Sequence, residues 1–450
     1  MNLKKLCDTL PVACHTDFVQ KGGTFVAIKG MNSDGVTFIP MALEKGATTI
    51  VVQQNTVLTP ETEALIKKHG ATLLRVEDTR LALAQLSAIA FGHPAKKLKF
   101  IAITGTKGKT TTTFLVEHLL KTAGYKTALL STVKNRIQRI EYATKLTTQQ
   151  PDYLNAFFDQ CVKAGVEWVV MEVAAQAFSL HRVHGIVFDA GIFTNFSREH
   201  GEFYPSQDDY FTAKEQLLHC LKPGAPLVLN QDDNKVAALA GNYNPSLFFT
   251  SSHPYTCPQL VGRFNAYNIA AATTCVKALG VAEPAIAAAL LSFPGVAGRL
   301  DRVQLPNGAI AFIDYAHNPA SYQAVLSELR LLTGNLIVVF GAGGDRDPIR
   351  RPLMGDIAST IADRIVITSD NPRSEDPSAI AQQILAGIKQ ENAHKVLVEL
   401  DRESAIRKAY AHSKAGSIIA LLGKGPDEYQ IVKGVTTPFS ERSILLSLKK

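Results

Sequence analysis

Ile101-Ala-Ile-Thr-Gly-Thr-Lys-Gly-Lys-Thr-Thr-Thr-Thr113 is the stretch whose reading decides the fold. An apolar run, Phe100 to Ile103, meets a turn of small residues and then Gly108-Lys109-Thr110. A helical pattern follows, with Leu115, Val116, Leu119 and Leu120 on one side. Strand, turn and helix in that order is the setting a phosphate-binding loop requires. Its backbone N–H groups and helix N-terminus attract anionic oxygen, its lysine reaches the terminal phosphates, and its threonine hydroxyl ligates Mg²⁺. Gly105, Thr106, Gly108, Lys109, Thr110 and Thr111 are the candidates. The usual pattern has a glycine where Ile103 stands, so this loop is the shorter Gly105-x-x-Gly108-Lys109-Thr110. A nucleoside triphosphate is the expected ligand.

Working outward, 450 residues suffice for about two to four domains, each burying its own core. A hydrophobic content of 46% with 19% charged residues is that of an ordinary globular chain. No apolar run approaches the roughly 20 residues of a membrane span, and the first eight residues lack the apolar core of a signal peptide. Six scattered cysteines show no metal-type or redox-type spacing. A cytoplasmic location with reduced thiols is expected. The net charge of +7 is spread along the chain without clustered aromatics, which argues against a nucleic-acid groove. A monomer with neither nucleic-acid nor membrane partner is expected.

Residues 1–96 read as a small α/β domain, with strands at 24–28 and 48–52 and helices at 38–45 and 81–91. Its loop Lys29 to Gly35 is equally a turn or a ligand contact, and 94–99 reads as a linker. Residues 97–297 form a central domain with a parallel sheet of the P-loop ATPase type. Strands are expected at 127–131, 168–173, 188–195 and 227–229, and helices at 151–164 and 207–220. The polar stretch before Thr147-Thr148 has no assigned element. Glu172 closes an apolar strand at the end where the phosphate loop also lies, which lets it face Mg²⁺; the other reading is an exposed edge strand. By spacing alone His200 is either a metal ligand or a solvated loop histidine, and Lys214 is one surface lysine among many. Asn265 and Asn268 suit a purine edge or an N-cap equally.

Residues 298–450 alternate again and read as a Rossmann-like domain, with strands at 310–314, 336–340, 364–368 and 418–422. Three strand ends carry Arg346, Asp370, Arg373 and Asp427. Charges of both signs there suit a zwitterionic amino acid better than a nucleotide.

Together these motifs resemble the Mur ligases, and within them the UDP-N-acetylmuramoyl-tripeptide synthetases that add the third residue of the peptidoglycan stem peptide. The resemblance runs from Phe25-Val-Ala-Ile-Lys-Gly30 to Tyr429-Gln430. It rests on Gly105-Thr-Lys-Gly-Lys-Thr110, Met171-Glu-Val173, His181-Arg-Val183, Thr194-Asn195 with His200, Ala213-Lys214, Phe264-Asn-Ala-Tyr-Asn268, Gly298-Arg-Leu300, Asp314-Tyr-Ala-His317, Gly343-Gly-Asp-Arg-Asp347, Asp370-Asn-Pro-Arg373 and Gly423-Lys-Gly425.

The resemblance implies ATP with two Mg²⁺ ions. Thr110, Glu172, His200 and Lys214, carried as a carbamate, would serve the metals, with Lys109 on the phosphates. Asn268, Arg299 and Asp314 would lie around the adenosine and phosphates. Thr16, Thr147, Thr148 and Arg182 would contact a UDP-linked muramyl dipeptide. Arg346, Asp370, Asn371, Pro372, Arg373, Gly423 and Asp427 would form the pocket for a diamino acid. In this family Asp-Asn-Pro-Arg accompanies meso-diaminopimelate, and lysine offers no distal carboxylate for Arg373. The implied reaction is amide ligation through an acyl phosphate, completed by closure of the last domain.

Several positions depart from the family pattern: His15-Thr-Asp17 for Asp-Ser-Arg, Leu146 for Asn, Ala174-Ala175 for Ser-Ser, Leu180 for Gln, and Pro426-Asp427 for His-Glu. The acceptor side is altered more than the ATP side. A ligase of cyanophycin or folylpolyglutamate type, with another carboxylate acceptor, is therefore a second reading, and an idle nucleotide-binding regulator is a third.

Overall fold

In a computed structural model, residues 5–31, 33–197 and 203–449 are described. The chain packs as two compact units, Met1–Thr256 with Ala266–Leu291, and Cys257–Asn265 with Ser292–Lys450. Its sheets give a three-domain α/β fold.

The first unit holds two sheets. One is a four-stranded parallel sheet of β1 (Leu10–Ala13), β2 (Val19–Val26), β3 (Thr49–Gln53) and β4 (Thr72–Val76), in that spatial order. The other has β5 (Lys99–Thr104), β6 (Thr127–Leu130), β7 (Asn135–Ile137), β8 (Ile140–Tyr142), β9 (Trp168–Glu172), β10 (Ala190–Phe193), β11 (Leu227–Asn230) and β12 (Ser246–Phe249). Its order is β12-β11-β10-β5-β9-β6-β7-β8.

Strand β5 lies between β9 and β10, pairing Ile103 with Glu172 and Phe193 with Thr104. Phe100, Ile101, Ala102 and Ile103 are all fully buried, which is why this strand reads as an unbroken apolar run rather than an alternation. The chain passes from β5 toward β6 and β9 on one side and then crosses to β10 on the other. The strand order therefore reverses between β5 and β10, and their carboxyl ends open the crevice where ligands of such sheets bind.

The central sheet is not wholly parallel. The polar stretch left unassigned from sequence forms the antiparallel β7–β8 hairpin on one edge. Its polarity is paired inward: Arg136 meets the buried Glu117 at 2.6 Å, and Lys134 meets Glu141 at 2.6 Å. Strands β1, β4 and β12 and the helices Pro60–Lys68 and Glu283–Leu291 were likewise not anticipated.

The two sheets of this unit share one apolar core, in which Phe100 stacks edge-on against both Phe158 and Phe188. A polar tie crosses the same boundary. The buried Asp152, at the start of helix Pro151–Lys163, accepts the Cys14 backbone N–H at 3.0 Å. Burial pushes its carboxyl up, against the hydrogen bonds it accepts.

The second unit is built on β13 (Asp301–Gln304), β14 (Ile310–Asp314), β15 (Leu336–Phe340), β16 (Arg364–Ile367), β17 (Val396–Val398) and β18 (Ile418–Leu422). The order is β13-β14-β18-β15-β16-β17, parallel except for β13. A separate hairpin joins β19 (Tyr429–Val432) and β20 (Val435–Pro438). Because β18, β15 and β16 are adjacent and parallel, the segments after Leu422, Phe340 and Ile367 emerge side by side.

Asp152→Ala should cost about 1–3 kcal/mol in urea unfolding, since it strands a buried N–H. Asp152→Asn, which keeps an acceptor oxygen, should cost clearly less.

Candidate active site

The turn after β5 supplies the first half of the site. Gly105 has φ 133° and Gly108 has φ 82°, backbone that residues with a Cβ avoid. Space excludes a side chain as well. A Cβ on Gly105 would lie 2.0 Å from Thr194 Oγ1, and one on Gly108 would lie 2.4 Å from Asn268 Oδ1. The loop is therefore clamped between the end of β10 and helix Arg263–Ala278. Asn195 holds Lys107 from both sides, accepting its N–H at 2.9 Å and donating to its carbonyl at 3.0 Å. Thr106 donates to the Ser197 carbonyl at 3.2 Å.

Gly108 opens the helix Lys109–Thr122, whose first turn holds Lys109, Thr110 and Thr111. Lys109 Nζ donates to the carbonyls of Gly105 and Thr106 at 2.9 and 3.0 Å. Lys214, far from being a surface lysine, is 1% exposed; its Nζ donates to the same Gly105 carbonyl at 2.8 Å and sits 4.6 Å from the Tyr210 ring centroid. Two ammonium groups thus share one carbonyl at a helix N-terminus, a concentration of positive charge suited to polyphosphate. Asn268 is the sixth residue of its helix, so it is not an N-cap; it accepts from Thr112 Oγ1 at 3.2 Å.

Glu172 ends β9 beside this loop and is 1% exposed, so the edge-strand reading is wrong. Thr110 donates to its Oε2 at 3.1 Å, and Thr132 holds it through a backbone N–H at 2.8 Å and a hydroxyl at 3.1 Å. Among the described residues no cation pairs with it. Burying a carboxylate without a countercharge is costly, and hard oxygen donors of this kind suit Mg²⁺, which also keeps waters and substrate phosphates as ligands. The residues present fit the metal. His200 lies outside the described residues. Thr132 was missed in sequence because nothing marks a single threonine after a strand.

The predicted acceptor residues Thr147, Thr148 and Arg182 join the same cluster. Thr132 donates to Thr147 Oγ1 at 3.2 Å, Thr148 donates to the Glu172 carbonyl at 2.9 Å, and Arg182 donates to the Thr148 carbonyl at 2.8 Å. Burial pulls the Arg182 guanidinium down, with Arg80 nearby acting the same way. Thr16 is buried in the short turn Thr16–Phe18, its carbonyl accepting from Lys45 at 2.9 Å.

In the second unit, Arg346, Asp370, Asn371, Pro372, Arg373, Gly423 and Asp427 are brought to one edge of the sheet. Arg373 stands in left-handed backbone (φ 53°) and donates to the Gly344 carbonyl at 2.5 Å. Neither it nor Arg346 has a carboxylate partner among the described residues. The fully buried Lys424, absent from the expected set, ties the edge together: its Nζ reaches Asn371 Oδ1 at 3.1 Å, the Tyr429 carbonyl at 2.8 Å and Asp370 at 3.9 Å. Asn371 also accepts from the Ile431 N–H at 3.0 Å, and Glu375 donates its N–H to the Pro372 carbonyl at 3.0 Å. Gly423 donates its N–H to the Asp314 carbonyl at 3.1 Å. Burial raises the Asp427 carboxyl, opposed by Lys424.

Asp314 uses both oxygens inside the domain, accepting the N–H groups of Leu300 and Ala316 at 2.8 Å each. Arg299 lies over the Tyr315 ring, 5.1 Å from its centroid.

Arg351, another residue unmarked in sequence, is buried and makes a two-pronged pair with Glu375, whose carboxyl it pulls down to about 2. A carboxyl held below its ordinary 4.5 adds stability above that range and loses it as pH falls toward 2. Acid unfolding should therefore show wild type and Glu375→Gln differing near neutral pH and converging toward pH 2. Gly108→Ala should abolish binding of a fluorescent triphosphate analogue, read by titration, with the thermal transition retained.

Residues 12–90 match the Mur ligase family catalytic domain, residues 103–254 the Mur ligase middle domain, and residues 298–425 the Mur ligase glutamate ligase domain. The UDP-N-acetylmuramoyl-L-alanyl-D-glutamate–2,6-diaminopimelate ligase of Clostridium perfringens is 35% identical over 463 residues, covering 96% of this chain and 93% of that protein. The ligase of the same name from Phocaeicola vulgatus is 34% identical over 453 residues, covering 95% and 92%. A solved structure of a UDP-N-acetylmuramoyl-L-alanyl-D-glutamate–2,6-diaminopimelate ligase superposes with a TM-score of 0.64 at 25% identity, covering 98% of this chain and 94% of that one. The MurF ligase from Thermotoga maritima in complex with ADP shares the fold, with a TM-score of 0.62 at 20% identity and coverage of 93% and 95%. On these matches and the site geometry alike, the chain belongs to the Mur ligase family.

Proposed function

We propose that this protein is an ATP-dependent amide ligase that joins meso-diaminopimelate to UDP-N-acetylmuramoyl-L-alanyl-D-glutamate in peptidoglycan precursor synthesis, acting as a cytoplasmic monomer. Its domains are 1–96 for the acceptor, 97–297 for ATP and 298–450 for the amino acid. The observation that carries the choice of amino acid is Arg373. Its guanidinium is held in a left-handed loop with Arg346 in the neighbouring segment, and among the described residues neither forms an ion pair with a carboxylate. A ligand with a distal carboxylate supplies that charge, whereas L-lysine leaves it unmet.

The acceptor carboxylate oxygen attacks the γ-phosphorus of ATP, ADP leaves, and an acyl phosphate forms. The free amine of the diamino acid then attacks the acyl carbon, phosphate departs, and the amine loses its proton as the amide forms. Lys109 and the helix N-terminus offset negative charge on the transferring phosphoryl group. Thr110 and Glu172 would hold one Mg²⁺, and His200 with a carbamate on Lys214 would serve a second. Bound Mg²⁺ supplies Lewis-acid charge neutralisation. Thr147, Thr148 and Arg182 hold the acceptor close to Glu172, so its carboxylate and the phosphate loop share one cluster.

The test is ADP release by purified protein with Mg²⁺ and ATP. Release should require both UDP-N-acetylmuramoyl-L-alanyl-D-glutamate and meso-diaminopimelate. Turnover with a peptide or folate acceptor but with no UDP-sugar would favour the second acceptor class, to which the altered His15-Thr-Asp17 segment points. Arg373→Ala should raise the KM for diaminopimelate at least about tenfold with the KM for ATP unchanged. A fall in ATP affinity instead would remove this loop from the amino-acid pocket.

A further inference from the structure

Two residues at the proposed amino-acid pocket sit in backbone that side-chain-bearing residues avoid. Asp345 has φ 54° immediately before Arg346, and Arg373 itself has φ 53°. Such conformations persist only where the surroundings impose them. Arg373 is fixed from the hairpin side, donating its N–H to the Ile431 carbonyl at 3.1 Å. Asp345 is fixed by Glu375. The Glu375 Oε1 accepts the Asp345 N–H at 2.6 Å, and the Ser374 hydroxyl donates to the Asp345 carboxylate.

Glu375 is itself gripped. Arg351 Nη1 donates to its Oε2 at 2.7 Å and Nη2 donates to its Oε1 at 2.8 Å. The same two terminal nitrogens of this buried guanidinium also donate to Gln383 Oε1 at 2.6 Å and to the Gly343 carbonyl at 3.2 Å. The fork therefore connects the loop carrying Arg346 with the segment that continues directly from Arg373. Gly344, between these points, donates its N–H to the Asn371 carbonyl at 2.9 Å and accepts from Arg373. Neither Arg351 nor Glu375 lies in β15 or β16. What they fix is the separation of two loop segments and the aim of the guanidiniums on them.

We propose that Glu375, held by the two-pronged Arg351 pair, is a positioning residue that sets the spacing of Arg346 and Arg373 and thereby the selectivity for an amino acid with a second carboxylate. This rests on the assignment of that pocket made above. Moving either loop separates two donors that must meet one small ligand together, so carboxylate-dependent recognition is lost before ATP binding is touched.

The experiment uses the full chain and two variants. Glu375→Gln keeps the shape and removes the charge. Arg351→Lys keeps the charge and removes the fork, a change that is not conservative at a two-pronged site. The quantities read are the KM for meso-diaminopimelate, the kcat/KM ratio of diaminopimelate to L-lysine, the KM for ATP and the thermal midpoint. Both variants should raise the diaminopimelate KM about tenfold and lower the ratio by a similar factor, with the ATP KM within about twofold. A lower thermal midpoint with KM and ratio unchanged would make the pair a stabilising contact and overturn the proposal. Should Glu375→Gln not fold, Glu375→Asp serves in its place: a raised diaminopimelate KM supports the proposal and an unchanged one overturns it. Arg373→Ala run alongside separates the two levels. If it too leaves the diaminopimelate KM unchanged, the pocket assignment fails; if it alone raises that KM, only the role given to Glu375 fails.

Discussion

Glu172 is a carboxylate kept out of water at the end of a strand that has a partner on each side, and no cation among the described residues balances it. Everything in the first unit that bears on chemistry is arranged around that charge. The strand order brings β9 next to β5, so the carboxylate emerges beside the phosphate loop. The Thr110 hydroxyl and the Thr132 N–H hold it in place without neutralising it. Thr148 then donates to the backbone carbonyl of the same residue. A buried negative charge held by hydroxyls and an amide, with no ion pair among the described residues, is stable only as part of a larger electrostatic whole. In the proposed function, a metal–polyphosphate pair would supply what is missing.

In the proposed function the second unit has a different task, the recognition of a small ligand with several charges. Its parallel strands deliver three segments to one edge, but strand ends alone do not set side-chain directions to the accuracy recognition needs. That is done by buried cations. Lys424 reaches Asp370, Asn371 and the Tyr429 carbonyl, and Arg402 donates to the carbonyls of Ser369 and Leu422 while pairing with Glu441. Each of these positive groups has protein oxygens around it; Arg373 donates to the Gly344 carbonyl but, like Arg346, makes no ion pair among the described residues.

Much of this was legible in the residues. Strands β5, β14, β15 and β18 are buried on both faces, so their continuous apolar runs marked them almost to the residue. The phosphate loop and Glu172 were found because strand-end placement follows from a parallel sheet. The β7–β8 hairpin was not, because its buried charges are paired with one another and a polar run gives no periodic signal. Lys214 read as a surface residue by spacing; its burial comes from packing near Tyr210 and Gly105, 109 positions away. Arg351, Glu375 and Lys424 were missed for the same reason, since sequence spacing does not reveal which charged residues fold inward.

The central claim is that the triphosphate energises a carboxyl group by direct phosphoryl transfer. It is tested most directly by following oxygen. The UDP-linked acceptor is labelled with ¹⁸O in its reacting carboxylate and turned over with ATP, Mg²⁺ and meso-diaminopimelate, and the released inorganic phosphate is analysed by mass. The account predicts one ¹⁸O in the phosphate for each amide bond formed, because the carboxylate oxygen that attacked phosphorus leaves with it. Amide formation with no label in the phosphate would contradict it.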